Sequence, residues 1–409
     1  MTTFTPSAAS EVLDAVKWAV SEETPLEVVG HGSKRGVGRP VQTEHALDLS
    51  GLSGVTLYEP EELVLSAQAG TPLAEIEDLL ERNGQQLAFE PMDCAALFGA
   101  EPGRGTIGGV LATNLAGPRR LKAGSARDHI LGIDAVSGRG EIFKSGGRVV
   151  KNVTGYDLSK AMAGSWGTLA VVTALTFKVL PRAEEETTVA VRGLTDEQAA
   201  TVMAAALGSS AEVSAAAHLP EGVVSTVDHG VLGGDAATLL RVEGFGPSVA
   251  SRVELLKSLL ADAPEIELLE SQRSRTVWRD IRDCAPFADG TEKPVWRISV
   301  APSAGHNVAL AIRRQAPATA FYDWQGGLVW LRMEAEDEAE IVRDAVARSG
   351  GGHATLLRAP PAVRAAVPVF QPQPPALAAL SARLRAEFDP KSVLNPGRMY
   401  RTGTDGMTL

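Results

Sequence analysis

Three glycine-rich turns within the first 170 residues constrain this chain more than any other feature. They are GHGSKRG at residues 30–36, EPGRGTIGGVLATNLAG at 101–117 and AGSWGT at 163–168. Glycine lets backbone N–H groups converge on an anion, or lets a flat ring come close to the main chain. None of the three is a Rossmann fingerprint. The first follows an apolar strand expected at Leu26–Val29, but its spacing is GxGxxxG, and Ser33, Lys34 and Arg35 interrupt any helix start. The second holds a formal GxGxxG at Gly103, Gly105 and Gly108, yet the preceding CAALFGA is too short and broken to be the strand a βαβ unit requires. The third runs into a β-branched strand. Taken singly, each turn also fits an ordinary connection or surface loop; their occurrence together and in this order points to a binding role.

The surrounding pattern alternates helix and strand. Residues 10–21 carry Val12, Leu13, Val16, Trp18 and Val20 at helical spacing, and Pro25 leads into the first strand. After a strand around residues 63–67, Thr71 is expected to cap a helix with Pro72 at its first position, Leu73, Ile76, Leu79 and Leu80 on one face and Gly84 as the stop. Residues 91–128 show few periodic signals and are too long for an idle connection. Residues 130–143 read as a hairpin about residues 137–140, followed by a helix over 157–162 and a strand over 169–180. Pro181 and the acidic run at 184–186 mark a boundary, beyond which strand–helix–strand units, including a helix over 248–260, indicate a second α+β domain. The proline-rich stretch 360–375 is a second boundary. The helix and closing loop FDPKSVLNPGRMY after it are too short to fold alone and must dock on an earlier domain. The expected domains are therefore 1–182, 183–360 and 361–409.

Composition removes several function classes. With 39 basic against 50 acidic residues the net charge is −11, which disfavours a nucleic-acid partner. No stretch of about 18 apolar residues occurs and the N-terminus lacks a basic start and apolar core, so a cytoplasmic protein without a membrane span is expected. An iron–sulfur cluster takes about four thiolates, and Cys94 and Cys284 are the only cysteines. The seven histidines form no HxxxH or HxH pair, so no metal site is expected.

The segments VVGHGSK, LAFEP, PGRGTIGGVLATNLAG, GSARDHILG, KNVTGYDLSKAMAGSWGTLAVVT and FDPKSVLNPGRMY together resemble the FAD-linked oxidases of the vanillyl-alcohol-oxidase fold. The stretch KNVTGYDL, the ending LNPGRMY, and PVWRISVAP and GGHATLLRAP in the second half are similar to the glycolate and lactate oxidase branch. Within it they resemble the smaller FAD-binding subunits of bacterial glycolate oxidase. The resemblance implies an α+β architecture: a two-lobed FAD-binding domain of the PCMH type, an α+β cap, and a C-terminal segment returning to the flavin domain. It implies FAD contacts at Gly30, His31, Gly32, Ser33 and Lys34 in the first loop, and at Pro102, Gly103, Thr106, Ile107, Gly108, Gly109, Asn114 and Gly117 in the second. Ser125 and Asp128, then Gly164, Gly167, Leu169 and Val171 around the third turn, and Asn395 complete the set. Members with covalent flavin carry a histidine where Gly32 stands here, with His31 one place earlier, so non-covalent FAD is expected.

The implied chemistry is oxidation of a small 2-hydroxy acid, glycolate to glyoxylate, with electrons shared between a larger FAD-linked subunit, this chain and an iron–sulfur subunit. Through such partners the chain would reach the inner membrane. The HxGDGNxH metal segment of related branches does not occur. His353 fits an acid–base role or a structural one, and Arg297 fits a carboxylate clamp or a surface pair, so no catalytic residue is assigned. Two other readings stay open: a self-sufficient FAD-dependent hydroxy-acid or alcohol dehydrogenase, and a flavin-binding subunit that performs no substrate chemistry.

Overall fold

The computed structural model describes residues 2–148 and 155–401. Residues 151–154 of the KNVTGYDL motif thus lie outside the described residues. The chain starts with three short parallel strands, Thr2–Phe4 and Leu26–Val29 flanking His45–Asp48. The helix Ala9–Ser21 buries Val12, Val16 and Ala19 beside them. A five-stranded antiparallel sheet follows, in the order Val55–Glu59, Val64–Gln68, Ala170–Lys178, Ile130–Ser137, Ile142–Gly146. Its core is closed by the helix Leu73–Arg82 through Leu73, Ile76 and Leu80.

Two local expectations change. Thr71 does not cap that helix: its hydroxyl donates to the Gln68 carbonyl (2.7 Å) and accepts from Gly54 N–H (2.9 Å), tying a turn instead, and Pro72 occupies the N-cap. The stretch 91–128 contains short helices at Ile107–Thr113, Arg120–Ala123 and Ala126–His129. Helices this short and glycine-rich carry almost no periodic signal and are held by what packs on them.

The second half is one eight-stranded antiparallel sheet, ordered Ile266–Glu270, Glu185–Arg192, Ala237–Gly244, Ala215–Leu219, Ala318–Asp323, Leu328–Met333, Val295–Ser299, His353–Arg358. It is a duplication. Each set of four strands runs strand–helix–strand–strand–helix–strand, with its first strand central, as in a ferredoxin-like unit. The two units join through the single registered pair His218 and Tyr322. Alternation along the strands decides the faces: Val189 and Val191 pack under the helices Asp196–Leu207 and Gly246–Leu259, whereas Ala190 joins a core shared with Met92, Cys94, Leu97 and Trp166 from the first half. One face of the first unit is thus covered by the helices Asp196–Leu207 and Gly246–Leu259, and the other by the helix Ser271–Arg282, where Trp278 Nε1 donates to Thr188 Oγ1 (2.7 Å), together with segments of the first half.

Charges cross the same junction. Arg241 on the large sheet binds Glu90 with both Nη atoms (2.8 and 3.0 Å), and Arg119 bridges Glu90 (3.2 Å) to Glu243. Burial raises the pKa of Glu90, but Arg119 and Arg241 outweigh it and the net shift is downward. Burial pushes Glu186 up, and its carboxyl accepts from Ser274 Oγ at 2.6 Å. At the far end of the chain Leu394 forms a parallel bridge with Leu26, with Leu26 N–H donating to Val393 (2.7 Å) and Asn395 N–H to Leu26 (3.0 Å). Among the described residues no helix is long and apolar enough to cross a membrane.

Candidate functional site

A cleft of about 510 Å³, open mouth included, is walled by residues 28–35, by Thr106, Gly109, Ala112 and Thr113, and by Trp166, Asn395 and Arg398. All three glycine turns and the returning C-terminal segment meet here or directly behind it.

The first turn supplies donors. Among the described residues the backbone N–H groups of His31, Gly32, Ser33 and Lys34 have no protein acceptor, which is the arrangement of an anion-binding concavity. Gly32 is left-handed at φ 75°, a conformation that strains any residue with a Cβ. The turn is braced from outside: Arg35 pairs with Glu27 (2.6 Å), Arg398 Nη2 donates to the Lys34 carbonyl (3.0 Å), and Arg364 Nη1 donates to that of Gly38 (2.7 Å). Burial lowers Arg398 to about 10, which still leaves a cation at neutral pH.

The second turn supplies shape. The amides at the start of the helix Ile107–Thr113 are already used: Ile107 donates to Thr71 (3.0 Å), Gly108 to Ala69 (2.8 Å) and Gly109 to Thr106 Oγ1 (3.2 Å). What remains towards the cleft is a row of small residues, Thr106, Gly109, Ala112 and Thr113. A Cβ on Gly30 would lie 2.6 Å from Thr106 Oγ1, so the two turns touch with no room for a side chain. Lys34 leans over this contact, its Nζ 3.5 and 3.9 Å from where Cβ atoms on Gly105 and Gly109 would stand, and no carboxylate among the described residues pairs with it.

The third turn closes the far end. Gly164 and Trp166 donate to the carbonyls of Leu111 (3.1 Å) and Ala112 (2.9 Å), capping the short helix, while Asn114 at φ 51° ends it. Asn395 joins all these parts: its Oδ1 accepts from Val28 N–H (2.8 Å) and its Nδ2 donates to the Trp166 carbonyl (2.9 Å). Gly167 lies against that amide, a Cβ there falling 2.7 Å from Nδ2.

Of the residues singled out from sequence, Gly30, His31, Gly32, Ser33, Lys34, Thr106, Gly109 and Asn395 line the cleft. Gly108, Asn114, Gly164 and Gly167 stand behind its walls. The remainder are placed elsewhere. Pro102 is exposed, and Gly103 donates to Asp93 (2.7 Å). Ile107, Leu169 and Val171 are core side chains. Ser125 and Asp128 form a capping box, with Asp128 Oδ2 accepting from Ser125 N–H at 2.8 Å. Gly117 sits at the junction with the large sheet, its carbonyl accepting from Trp324 Nε1 at 2.9 Å. His353 is exposed at a strand start. Trp166, Thr113 and Arg398 line the cleft without having been singled out; Trp166 inside the third turn and Arg398 beside Asn395 were within reach of the motif reasoning, whereas Thr113 was not. Both thiols are buried, Cys94 pushed up by burial to about 11. Among the described residues no group of three or more His, Cys, Asp or Glu side chains is placed to hold a metal ion.

The FAD binding domain family matches residues 2–146. The chain is 36% identical over 392 residues to the glycolate oxidase subunit GlcE of Escherichia coli (strain K12), covering 95% of this chain and 96% of that protein. It is 25% identical over 409 residues to the glycolate oxidase subunit GlcD of Bacillus subtilis (strain 168), covering 93% and 85%. The structure of p-cresol methylhydroxylase with substrate bound superposes with a TM-score of 0.71 at 13% identity, covering 97% of this chain and 88% of that one, a likeness of fold. The chain belongs to the family of FAD-binding oxidoreductases that includes the glycolate oxidase subunit GlcE.

Proposed function

We propose that this protein is the smaller FAD-binding subunit of a glycolate-oxidising complex and holds FAD without a covalent bond. Residues 1–182 with the returning segment 361–409 form the flavin-binding unit in this reading, and residues 183–360 the cap. The observation that carries it is the row of free amides at residues 31–34 and the Lys34 ammonium beside Gly105 and Gly109, in a cleft whose glycine contact leaves no space for a side chain. This donor set fits a diphosphate, and the small residues Thr106, Gly109, Ala112 and Thr113 let a planar group come close to the chain. Gly32 at a left-handed φ, where a covalent attachment would need histidine, supports the non-covalent state.

Bound FAD would supply a hydride acceptor for the α-carbon of a 2-hydroxy acid, here glycolate giving glyoxylate. The chain's own residues then have binding work: the first turn fixes the anionic end, and Trp166 and Asn395 close the far wall and keep water out. With only two cysteines, both buried, an iron–sulfur acceptor would belong to another subunit, reached with the larger FAD-linked subunit.

Co-purification with the neighbouring subunits and a visible spectrum before and after glycolate tests this directly. Bleaching of bound flavin is expected. Flavin that stays oxidised with every 2-hydroxy acid, yet whose removal dissociates the complex, would reduce the role to a structural one. Full glycolate-to-dye activity from the isolated chain would contradict an obligate partner. Acid precipitation is expected to release all flavin, and colour left on the pellet would contradict non-covalent binding.

A further inference from the structure

Arg297 stands on the strand Val295–Ser299, where successive side chains point to opposite faces. Trp296 turns to the helix-covered face: its Nε1 donates to the Asp337 carbonyl (2.7 Å), and the Arg343 guanidinium lies 5.1 Å over its ring. Arg297, one residue on, faces the flavin-binding half. Its guanidinium lies 4.8 Å from the ring centre of Trp324 and 5.8 Å from that of Trp330, its cross-strand partner. Trp324 is fixed in place. Its Nε1 donates to Gly117 across the junction (2.9 Å), its N–H donates to Asp323 Oδ1 (2.7 Å), and both it and Gln325 are left-handed, at φ 52° and 62°. Two consecutive residues in that region are strained, and strain of this kind persists where the surroundings enforce it.

What Arg297 lacks is an anion. Among the described residues no carboxylate oxygen comes within salt-bridge distance of it and no acceptor takes its hydrogen bonds, although it is only half exposed to water at most. The charges that bear on it are Asp323, which faces Trp324, and Arg120 from the flavin-binding half; the buried thiols of Cys94 and Cys284 nearby are neutral. A guanidinium carries about five donors in a planar fork, and leaving these unmatched while they are partly desolvated is costly.

We propose that Arg297, set on the Trp324 and Trp330 rings, anchors the carboxylate of a short 2-hydroxy acid at the junction of the large sheet with the flavin-binding half. The proposal rests on the flavin-dependent hydroxy-acid reading above and adds to it the residue that holds the acid. A planar carboxylate meets the guanidinium through two parallel hydrogen bonds. The aromatic platform sets the direction of that fork and leaves an apolar wall beside it. Arg297 moves no proton in this role; it fixes one end of the substrate so that the α-carbon has one orientation.

The test uses the FAD-loaded full chain with whichever partner subunits co-purify. Oxalate, a two-carbon carboxylate with no α-hydrogen to lose, is titrated against the visible flavin spectrum, and KM and kcat for glycolate are measured beside it. Wild type is expected to give a saturable oxalate shift. Arg297→Met is expected to raise the oxalate Kd and the glycolate KM roughly 10- to 100-fold with a smaller change in kcat, and Arg297→Lys to recover part of the loss. FAD content checks that each variant is folded; should the methionine variant fail that check, an Arg297→Lys protein with unchanged oxalate Kd overturns the proposal. A wild type that neither shifts with oxalate nor bleaches with glycolate removes the functional reading and this proposal with it. A wild type that does both, beside an Arg297→Met protein that binds oxalate equally well, overturns the proposal alone. Unchanged oxalate affinity with an altered flavin potential would assign Arg297 to the flavin and overturn it equally.

Discussion

Lys34 and Asn395 show how differently two cleft residues work. Lys34 has no carboxylate partner among the described residues, so its charge is available to a ligand, and Lys34→Gln is expected to weaken FAD binding by roughly 1.5–3 kcal/mol. Flavin fluorescence titration measures this, and an unchanged Kd would remove Lys34 from the diphosphate site. Asn395 instead uses both ends of its amide on Val28 and Trp166. Asn395→Leu would leave two buried backbone groups unmatched and is expected to lower stability by about 2–4 kcal/mol, read by denaturant unfolding with and without FAD. A loss of FAD affinity without loss of stability would mean that Asn395 serves the cofactor directly. Lys34 was legible because it lies in a glycine-dense motif whose chemistry is local, whereas Asn395 was legible only through the family resemblance of the closing loop. The sequence could not show that Arg398 braces Lys34, because the two lie 364 positions apart and no local pattern encodes that contact.

The helix Ile107–Thr113 is the element the cleft depends on most, and sequence reasoning did not resolve it. Gly108 and Gly109 each disfavour a helix by about 1 kcal/mol, so propensity alone argues against it. It forms because Thr71, Ala69 and Thr106 accept its first amides and the third turn donates to its last carbonyls. Thr106→Ala removes the cap and is expected to cost about 1 kcal/mol, with a larger fall in FAD affinity because Gly30 loses its neighbour. Calorimetry with and without flavin separates the two effects, and equal shifts in both states would deny the coupling. The helix Leu73–Arg82, by contrast, was legible through its apolar spacing, though not its cap. The doubled ferredoxin-like order of the large sheet was not, since its two units share a connection order without an evident repeat in sequence.

At the scale of the molecule the two halves are held by buried charge as well as by apolar packing. Asp323, beside this junction, has its pKa raised to about 7, chiefly by burial, against an ordinary 3.8. The folded protein therefore holds a proton there that the unfolded chain releases. The stabilisation is complete below about pH 4 and is lost as pH rises towards 7, about 4 kcal/mol in all. Asp323→Asn is expected to flatten that part of the stability profile, and a slope identical to wild type in urea melts from pH 4 to 8 would contradict the assignment. The α+β class and the flavin-type turns were readable in sequence, while the charges joining the halves were not, because Glu90 and Arg241 meet only after the sheet has formed. The parallel bridge between Leu26 and Leu394 has a temporal consequence. A ribosome emits the first glycine turn long before the wall that Asn395 and Arg398 add. Cofactor loading then waits for residues 395–398, and a nascent or shortened version ending near residue 388 is expected to emerge colourless even though the segment matched as an FAD binding domain, residues 2–146, is intact.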